Sequence, residues 1–458
     1  MKYIHKVNSR SRYTFLLGVT LAAIIYVHHV DAAAPVTITL GQSLVNLNGP
    51  WKFHTGDDPA WSNPNFDDSA WESLDLTAPP GAHDQDVGLS GYVSGWEARG
   101  HRGYSGYAWY RLRIAIDAPP TNDLALAGPA AVDSAYQVFI NGQLLGGCGK
   151  FSGSVPKVFS IQPRIFAIPR ALLHQNSHSV LIAFRVWMGP WDLAGDGGGM
   201  RIAPALGEAA SINERYQMQW LEVFRGYIVE VVEATIFMFL AVMSCTLIAF
   251  ARSREPYVWL AIALLLTALY RANQAIFFWG QFETVYAAEL ISIVLLVPLC
   301  LAAWTLAWRA WFRLRNVKWM PVAVGLLTVV YIAAQFLTRW WFHSILPPSV
   351  LATFTFIATA TRLAFLALTV FIIYRAIHQH ASEAWITLPA VALVSIGQFA
   401  QELSALGLRS IWFPYGAGVS RTQFAYAAFD AIIFALLLRH YLSYARREQT
   451  ADPFLSTA

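Results

Sequence analysis

The sequence predicts a two-part fold: an all-β domain outside the membrane, then an all-α bundle of seven transmembrane helices. Three observations lead there. Residues 224–442 hold seven apolar segments, at about 224–250, 257–279, 287–308, 320–337, 350–374, 386–406 and 425–442, divided by short loops. Each approaches the roughly 20 apolar residues needed to cross a hydrocarbon core about 30 Å thick. Before about residue 215 the chain is instead rich in Gly, Pro, Asp, Asn and Trp, and its apolar residues there alternate with polar ones. That period of two belongs to half-buried strands.

The 458 residues are 56% hydrophobic and 13% charged, averages that conceal these two unlike halves. The net charge of +4 comes from dispersed basic residues, which gives no reason to expect a nucleic-acid partner. Cys245 and Cys300 fall in apolar segments, so Cys148 has no cysteine partner in its own domain and reads as a buried thiol. The organisation read from the chain is a leader (1–34), a β-sandwich (35–207), a connector (208–223), the helical bundle (224–444) and a short tail (445–458).

The leader reading rests on Lys2, Lys6, Arg10 and Arg12 ahead of an apolar run from Phe15 to Tyr26, followed by small residues at Ala32–Ala34. That pattern fits a cleaved signal peptide, with an uncleaved anchor as the alternative. Either places the next domain outside the cytoplasm. In that domain Tyr110, Leu112, Ile114 and Ile116 share one strand face while Arg111 and Arg113 share the other. Val180, Ile182, Phe184 and Val186 repeat the pattern, and Ala135–Ile140 runs into Asn141-Gly142, a strong two-residue hairpin signal. Several short strands of this kind predict a sandwich.

Four motifs occur in order: Leu47 to Phe53 (LNGPWKF), Phe66 to Trp71 (FDDSAW), Trp109-Tyr110-Arg111 and Asn141-Gly142. Together they resemble the galactose-binding-like jelly roll seen as the sugar-binding domain of family 2 glycoside hydrolases. The resemblance implies a fold more than a ligand, since the catalytic acids of those hydrolases lie in a separate barrel. Trp51, Phe53, Trp71 and Trp109 read as large plugs of the sandwich core, and Asp67 and Asp68 as side-chain-to-backbone turns.

Two loops carry the candidate ligand-binding residues. Gly91–Tyr107 interleaves glycines with aromatics and holds Trp96, Glu97, Arg99 and Arg102, while Trp187–Met200 adds Trp191 and Asp192. Aromatic faces with convergent polar groups suit a sugar or small polar molecule. The alternative is Gly-rich loops packed over the sandwich end or docked on the membrane helices. The connector Glu208–Trp220 has helix-forming residues and is expected to lead straight into the first crossing.

Loop charges set the expected topology. With the β domain outside, the inner loops and tail carry Arg252, Arg254, Arg309, Arg313, Arg315, Lys318, Arg375, Arg446 and Arg447, against Arg339, Arg409 and Arg421 outside. This positive-inside bias supports the leader reading independently and leaves the C-terminus in the cytoplasm. Ionisable residues at membrane depth are expensive, so each is a site candidate. They are Glu230 and Glu233 on the first helix, Arg271 on the second, Glu289 on the third, Arg362 on the fifth, Glu402 on the sixth and Asp430 on the seventh. They are expected to form a network facing the bundle interior, serving either as a switch or as static helix pairing. His378 and His380 lack a third ligand nearby, so no metal and no cofactor is expected.

The whole arrangement resembles the bacterial seven-transmembrane receptors with diverse intracellular signalling modules. That resemblance implies a cytoplasmic-membrane location and an extracytoplasmic ligand, a small molecule or glycan, sensed for a kinase, cyclase or phosphatase inside. The tail Ala445–Ala458 is too short for such an output domain, so either a separate cytoplasmic partner supplies the output or the reading frame is truncated or naturally reduced. The partners foreseen are thus the lipid bilayer, the ligand and that protein, with room for a homodimer. The competing reading is a transporter or channel-like protein with an accessory sugar-binding-like domain. No catalytic motif is evident, and no lysine occurs in the seven segments to carry a retinal Schiff base.

Overall fold

The computed structural model describes residues 44–84, 88–115, 123–173, 179–190, 197–343, 345–379, 384–406 and 421–451. The expected leader, the loop carrying Trp191 and Asp192, and the tail beyond 451 lie outside the described residues. The remaining chain divides into an N-terminal sheet region and a C-terminal helical part.

One antiparallel sheet has six strands. Taken from edge to edge they are β3 (Glu72–Leu74), β2 (Trp51–Thr55), β4 (Gly106–Ala115), β10 (Ser179–Met188), β7 (Ala135–Ile140) and β8 (Gln143–Cys148). The second sheet runs β1 (Leu44–Asn46), β12 (Ala205–Glu208), β5 (Leu124–Ala127) and β9 (Ile165–Ala167). A small ribbon pairs β6 (Val132–Asp133) with β11 (Gly199–Met200). The central register sets Tyr110 opposite Phe184 and Leu112 opposite Ile182, so the alternating apolar residues of β4 and β10 reach one face together. There they meet Trp51, Phe53, Tyr136 and Val138, with Leu126 from the second sheet closing the same core. Asn141 (φ 48°) and Gly142 (φ 86°) supply the two left-handed residues that the β7–β8 hairpin turn requires.

The opposite face of the large sheet departs from expectation. Trp71 and Trp109 are buried, but they pack with Trp61, Phe66 and Phe139 beneath the segment between β2 and β3, outside the sandwich core. Arg111, expected on an open face, is 1% exposed there. Its Nε bonds Asp68 at 2.7 Å, and its Nη atoms donate to the carbonyls of Trp61, Asn63 and Phe66. Burial pulls the Arg111 pKa down while Asp68 opposes the shift. Asp67 makes the foreseen turn, accepting from the Ser69 amide at 3.0 Å; Asp68 serves the arginine instead.

The helical part begins without a break. Helix α1 (Ala209–Phe250) starts one residue after β12, because no Gly or Pro interrupts residues 209–225. It is followed by α2 (Glu255–Trp279), α3 (Val285–Trp311), α4 (Met320–Leu337) and α5 (Pro348–His378). Segment 386–406 becomes two pieces, α6 (Ala384–Gln398) and α7 (Ala400–Ala405), and α8 (Arg421–Ala451) closes the chain described. Six helices, α1–α5 and α8, are long and apolar enough to cross a membrane. The protein is therefore a multi-pass membrane protein. The sixth expected span falls short of a single long helix because Phe399 leaves helical geometry (φ −112°, ψ 28°). Arg362 Nη2 takes the Gln398 carbonyl next to that break, at 2.8 Å. Helix α3 is also irregular: Leu290–Leu296 is a π-helical stretch. Pro298, which has no N–H and crowds the carbonyl four residues back, follows it directly.

The bundle core is built around Trp304, Trp308, Phe429, Tyr331 and Phe365, all at most 2% exposed. Its two ends differ. One carries the basic residues, with Arg309 paired to Glu255 at 2.8 Å and Arg375 donating to the Arg315 carbonyl at 3.0 Å. The other end carries the sheet region.

Candidate functional site

The two candidate loops of the sheet region meet. The Trp96 and Glu97 amides donate to the Gly198 and Gly197 carbonyls at 3.1 and 3.0 Å. Trp96 itself is fully buried, tilted against Phe53 and Tyr104, and closed over by Gly198 and Gly199, where any Cβ would strike its ring. Its ring offers no face to a ligand. Glu97 accepts from the Gly103 amide at 2.9 Å, and Arg99 donates to the carbonyls of Ser94 and Asp75, both at 2.7 Å. These are loop-closing contacts. Arg102 is exposed, and His101 pairs with Glu72 at 2.6 Å on the same surface. The Asp75 carboxylate accepts from the Thr77 hydroxyl and amide, which holds its pKa below the usual value.

The base of this loop region docks on the helices. Leu89, Tyr92 and Ile202 pack with Val223 and Tyr227 of α1 and with Phe278 and Trp279 of α2. Tyr227 stacks on Phe278 with centroids 3.9 Å apart. Polar contacts key the α2–α3 turn to the sheet region. Gln162 Nε2 donates to the Phe278 carbonyl at 3.1 Å, Ser160 Oγ to that of Gly280 at 3.5 Å, and the Val285 amide to Val158 at 3.0 Å.

Inside the bundle, the ionisable residues form two groups. In the first, Arg271 of α2 meets two α1 carboxylates one turn apart, Glu230 at 2.9 Å and Glu233 at 3.1 Å. Gln423 of α8 donates to Glu230 at 3.0 Å, and the Tyr426 ring lies 4.6 Å from the guanidinium. Asp430, 5% exposed, is close enough to interact with Arg271 and Glu233, yet neither carboxylate oxygen has a hydrogen-bond partner among the described residues. Two acids thus pair with one arginine, and a third lies nearby.

The second group is a chain across α7, α5, α4 and α3. Glu402 holds the Arg362 guanidinium through both oxygens, one at 2.8 Å. Arg362 Nη1 donates to the Tyr331 hydroxyl at 3.2 Å, which also accepts from Gln335 at 3.0 Å. Gln335 in turn accepts from Arg339 at 3.1 Å, and Arg339 lies 3.8 Å from Glu289.

Between the groups lies a cavity of about 590 Å³. It runs from Phe278 and Val285 at the docking joint to Trp304 and Tyr426 deep in the bundle. Tyr426 belongs to both its wall and the Arg271 group, and Gly397 lets α6 approach that ring: a Cβ there would come within 2.2 Å of it. Sequence reasoning found the charges but missed the uncharged wall, including Asn273, Gln274, Tyr331, Gln335 and Gln401. Arg339, read as an outer-loop residue, turns inward to this wall. The available signal was amide side chains recurring near one end of apolar helices, which the search for charges passed over.

No family model and no curated protein matches this chain. Solved structures similar to the chain include a Bacteroides uniformis beta-glucuronidase (22% identity, 36% of this chain and 17% of that one, TM-score 0.25). Others are a Bacteroides vulgatus beta-glycosidase (20%, 36% and 20%, 0.24) and a Parabacteroides merdae beta-glucuronidase with glycerol in its active site (18%, 36% and 22%, 0.25). The chain spans about a fifth of the length of those enzymes.

Proposed function

We propose that the protein is a membrane-bound sensory receptor. Its sheet region, a jelly roll facing the outside, binds an extracytoplasmic ligand of carbohydrate type at the loop surface around Arg102. Seven crossings, with α6 and α7 together forming the broken sixth, carry the response to a separate cytoplasmic partner, and no catalysis is involved. The supporting observation is the joint. Phe278 and Val285 are bonded through their main chains to the sheet region and also line the intramembrane cavity. A displacement of the loops at the joint therefore reaches the wall between the two charged groups, where alternative ion pairings are available to a switch.

The test uses the full chain in lipid nanodiscs with a panel of neutral and acidic glycans. A ligand is expected to raise thermal stability, to lose that effect in Arg102→Ala, and to change amide exchange in the inner loops 251–256 and 312–319. Binding with unchanged inner loops would contradict signalling. The polar cavity favours one second reading, a transporter with an accessory domain; ligand uptake into proteoliposomes would select it.

A further inference from the structure

We propose that the intramembrane cavity is itself a binding site, for a neutral, hydroxyl-rich small molecule of mono- to disaccharide size. The site is distinct from the loop surface of the sheet region, so it stands whether or not the receptor reading does. Its volume, about 590 Å³, lies within the ~300–1,000 Å³ typical of small-molecule sites.

The class of ligand follows from what the wall leaves unmet. Gln398 Nε2 is a buried donor with no hydrogen-bond partner among the described residues, and the Glu289 carboxylate, beside Arg339 and Trp340, offers an acceptor on the same wall. Both residues line the cavity. A ligand that satisfies them must itself accept and donate, as a hydroxyl does. Asn273, Gln274 and Gln401 add further amide groups to the wall, and the half-buried ring of Phe277 offers flat apolar surface for C–H faces.

Charge favours a neutral ligand over a simple ion. Arg362 is held by both oxygens of Glu402, and Arg339 lies beside Glu289, so two positive and two negative groups balance. A ligand with net charge would have to compete with these existing pairs for its counter-charge. The π-helical stretch of α3 contributes as well. Its widened turn carries Ser292 and Ile293, both on the cavity wall, and such turns recur where a helix is shaped around a site.

The experiment uses the full chain in nanodiscs with Ser292→Cys as a reporter. A water-soluble methanethiosulfonate reagent labels the introduced thiol, and labelling at that position is followed by peptide mass spectrometry. The probes are glucose, N-acetylglucosamine and maltose as neutral sugars, glucuronate as an anion and glutamine as a zwitterion. At least one neutral sugar is expected to slow labelling saturably by about fivefold or more. By saturation-transfer NMR on the otherwise native chain, its affinity should fall about tenfold in Gln398→Leu and in Gln401→Leu. Gln401 sits on the short α7, so its variant reports binding even if Gln398→Leu folds poorly. Protection by glucuronate or glutamine alone, affinity indifferent to both variants, or a thiol that no aqueous reagent reaches would each overturn the proposal.

Discussion

Buried arginines in the two halves of the molecule are handled in opposite ways. In the sheet region Arg111 meets one carboxylate and three carbonyls, and Arg201 meets Asp133 at 2.7 Å and the Val93 carbonyl at 3.0 Å. Each is matched by one acid, with carbonyls and, for Arg201, the Tyr92 hydroxyl taking further donors. These arginines fasten loops to sheets. In the bundle Arg271 is shared by Glu230 and Glu233, Asp430 nearby has both oxygens without a hydrogen-bond partner among the described residues, and Gln398 Nε2 beside Arg362 has none either. Surplus acid and unmet donors are costly at membrane depth. Their concentration around a cavity separates a site from the clips at Arg111 and Arg201; of the sheet region's described arginines, Arg164 alone keeps a buried Nε unmet.

The comparison breaks most visibly at Arg271. Arg271→Leu leaves Glu230 and Glu233 without their cation and is expected to cost about 3–5 kcal/mol, read as lost thermal stability in nanodiscs. Arg271→Lys should recover only part, since a single ammonium does not reproduce the guanidinium's fork. Next comes Arg111→Leu, which strands Asp68 and three carbonyls. It should cost about 3 kcal/mol and appear as faster proteolysis between β2 and β3, with the bundle unaffected. Gly397→Ala is smaller, about 1–3 kcal/mol from overpacking. It pushes Tyr426 off Arg271, so it should also alter labelling at the cavity.

The smallest effect is a pH dependence. Folding lowers the Asp75 pKa, so its contribution is present above the unfolded value of about 3.9 and lost as pH falls through the lower folded value. The stability difference between the protein and Asp75→Ala should be seen near neutral pH, begin to shrink below about pH 4 and vanish only below the folded pKa. Asp75 is exposed, which keeps the difference small.

How much of this was legible in the sequence depends on whether the signal was local. The strands at 108–115 and 180–187, the Asn141-Gly142 turn and the long spans were legible because period and length are local properties. Arg111 was misplaced because alternation assigns a face, not what covers it, and residues 57–71 fold over that face from elsewhere. The break at Phe399 escaped notice because its compensation, Arg362, lies on another helix. Of the candidate site, the seven intramembrane charges were visible as exceptions to composition. Their division into two groups was not, since it depends on helix packing. The loop candidates mixed roles: Trp96 reads like a ligand platform in sequence, and only the glycines packed on it show that it belongs to the core.

The central claim is that the sheet region and the cavity wall are mechanically one unit, joined at Phe278 and Val285. The direct measurement is hydrogen–deuterium exchange on the full chain in nanodiscs, comparing the native protein with the joint variant Gln162→Ala/Ser160→Ala. Faster exchange is predicted at the joint and also in the cavity-lining stretches 273–278, 288–293 and 397–401. A change confined to residues 158–164 and 278–281 would contradict it, leaving a sheet region that merely rests on the bundle.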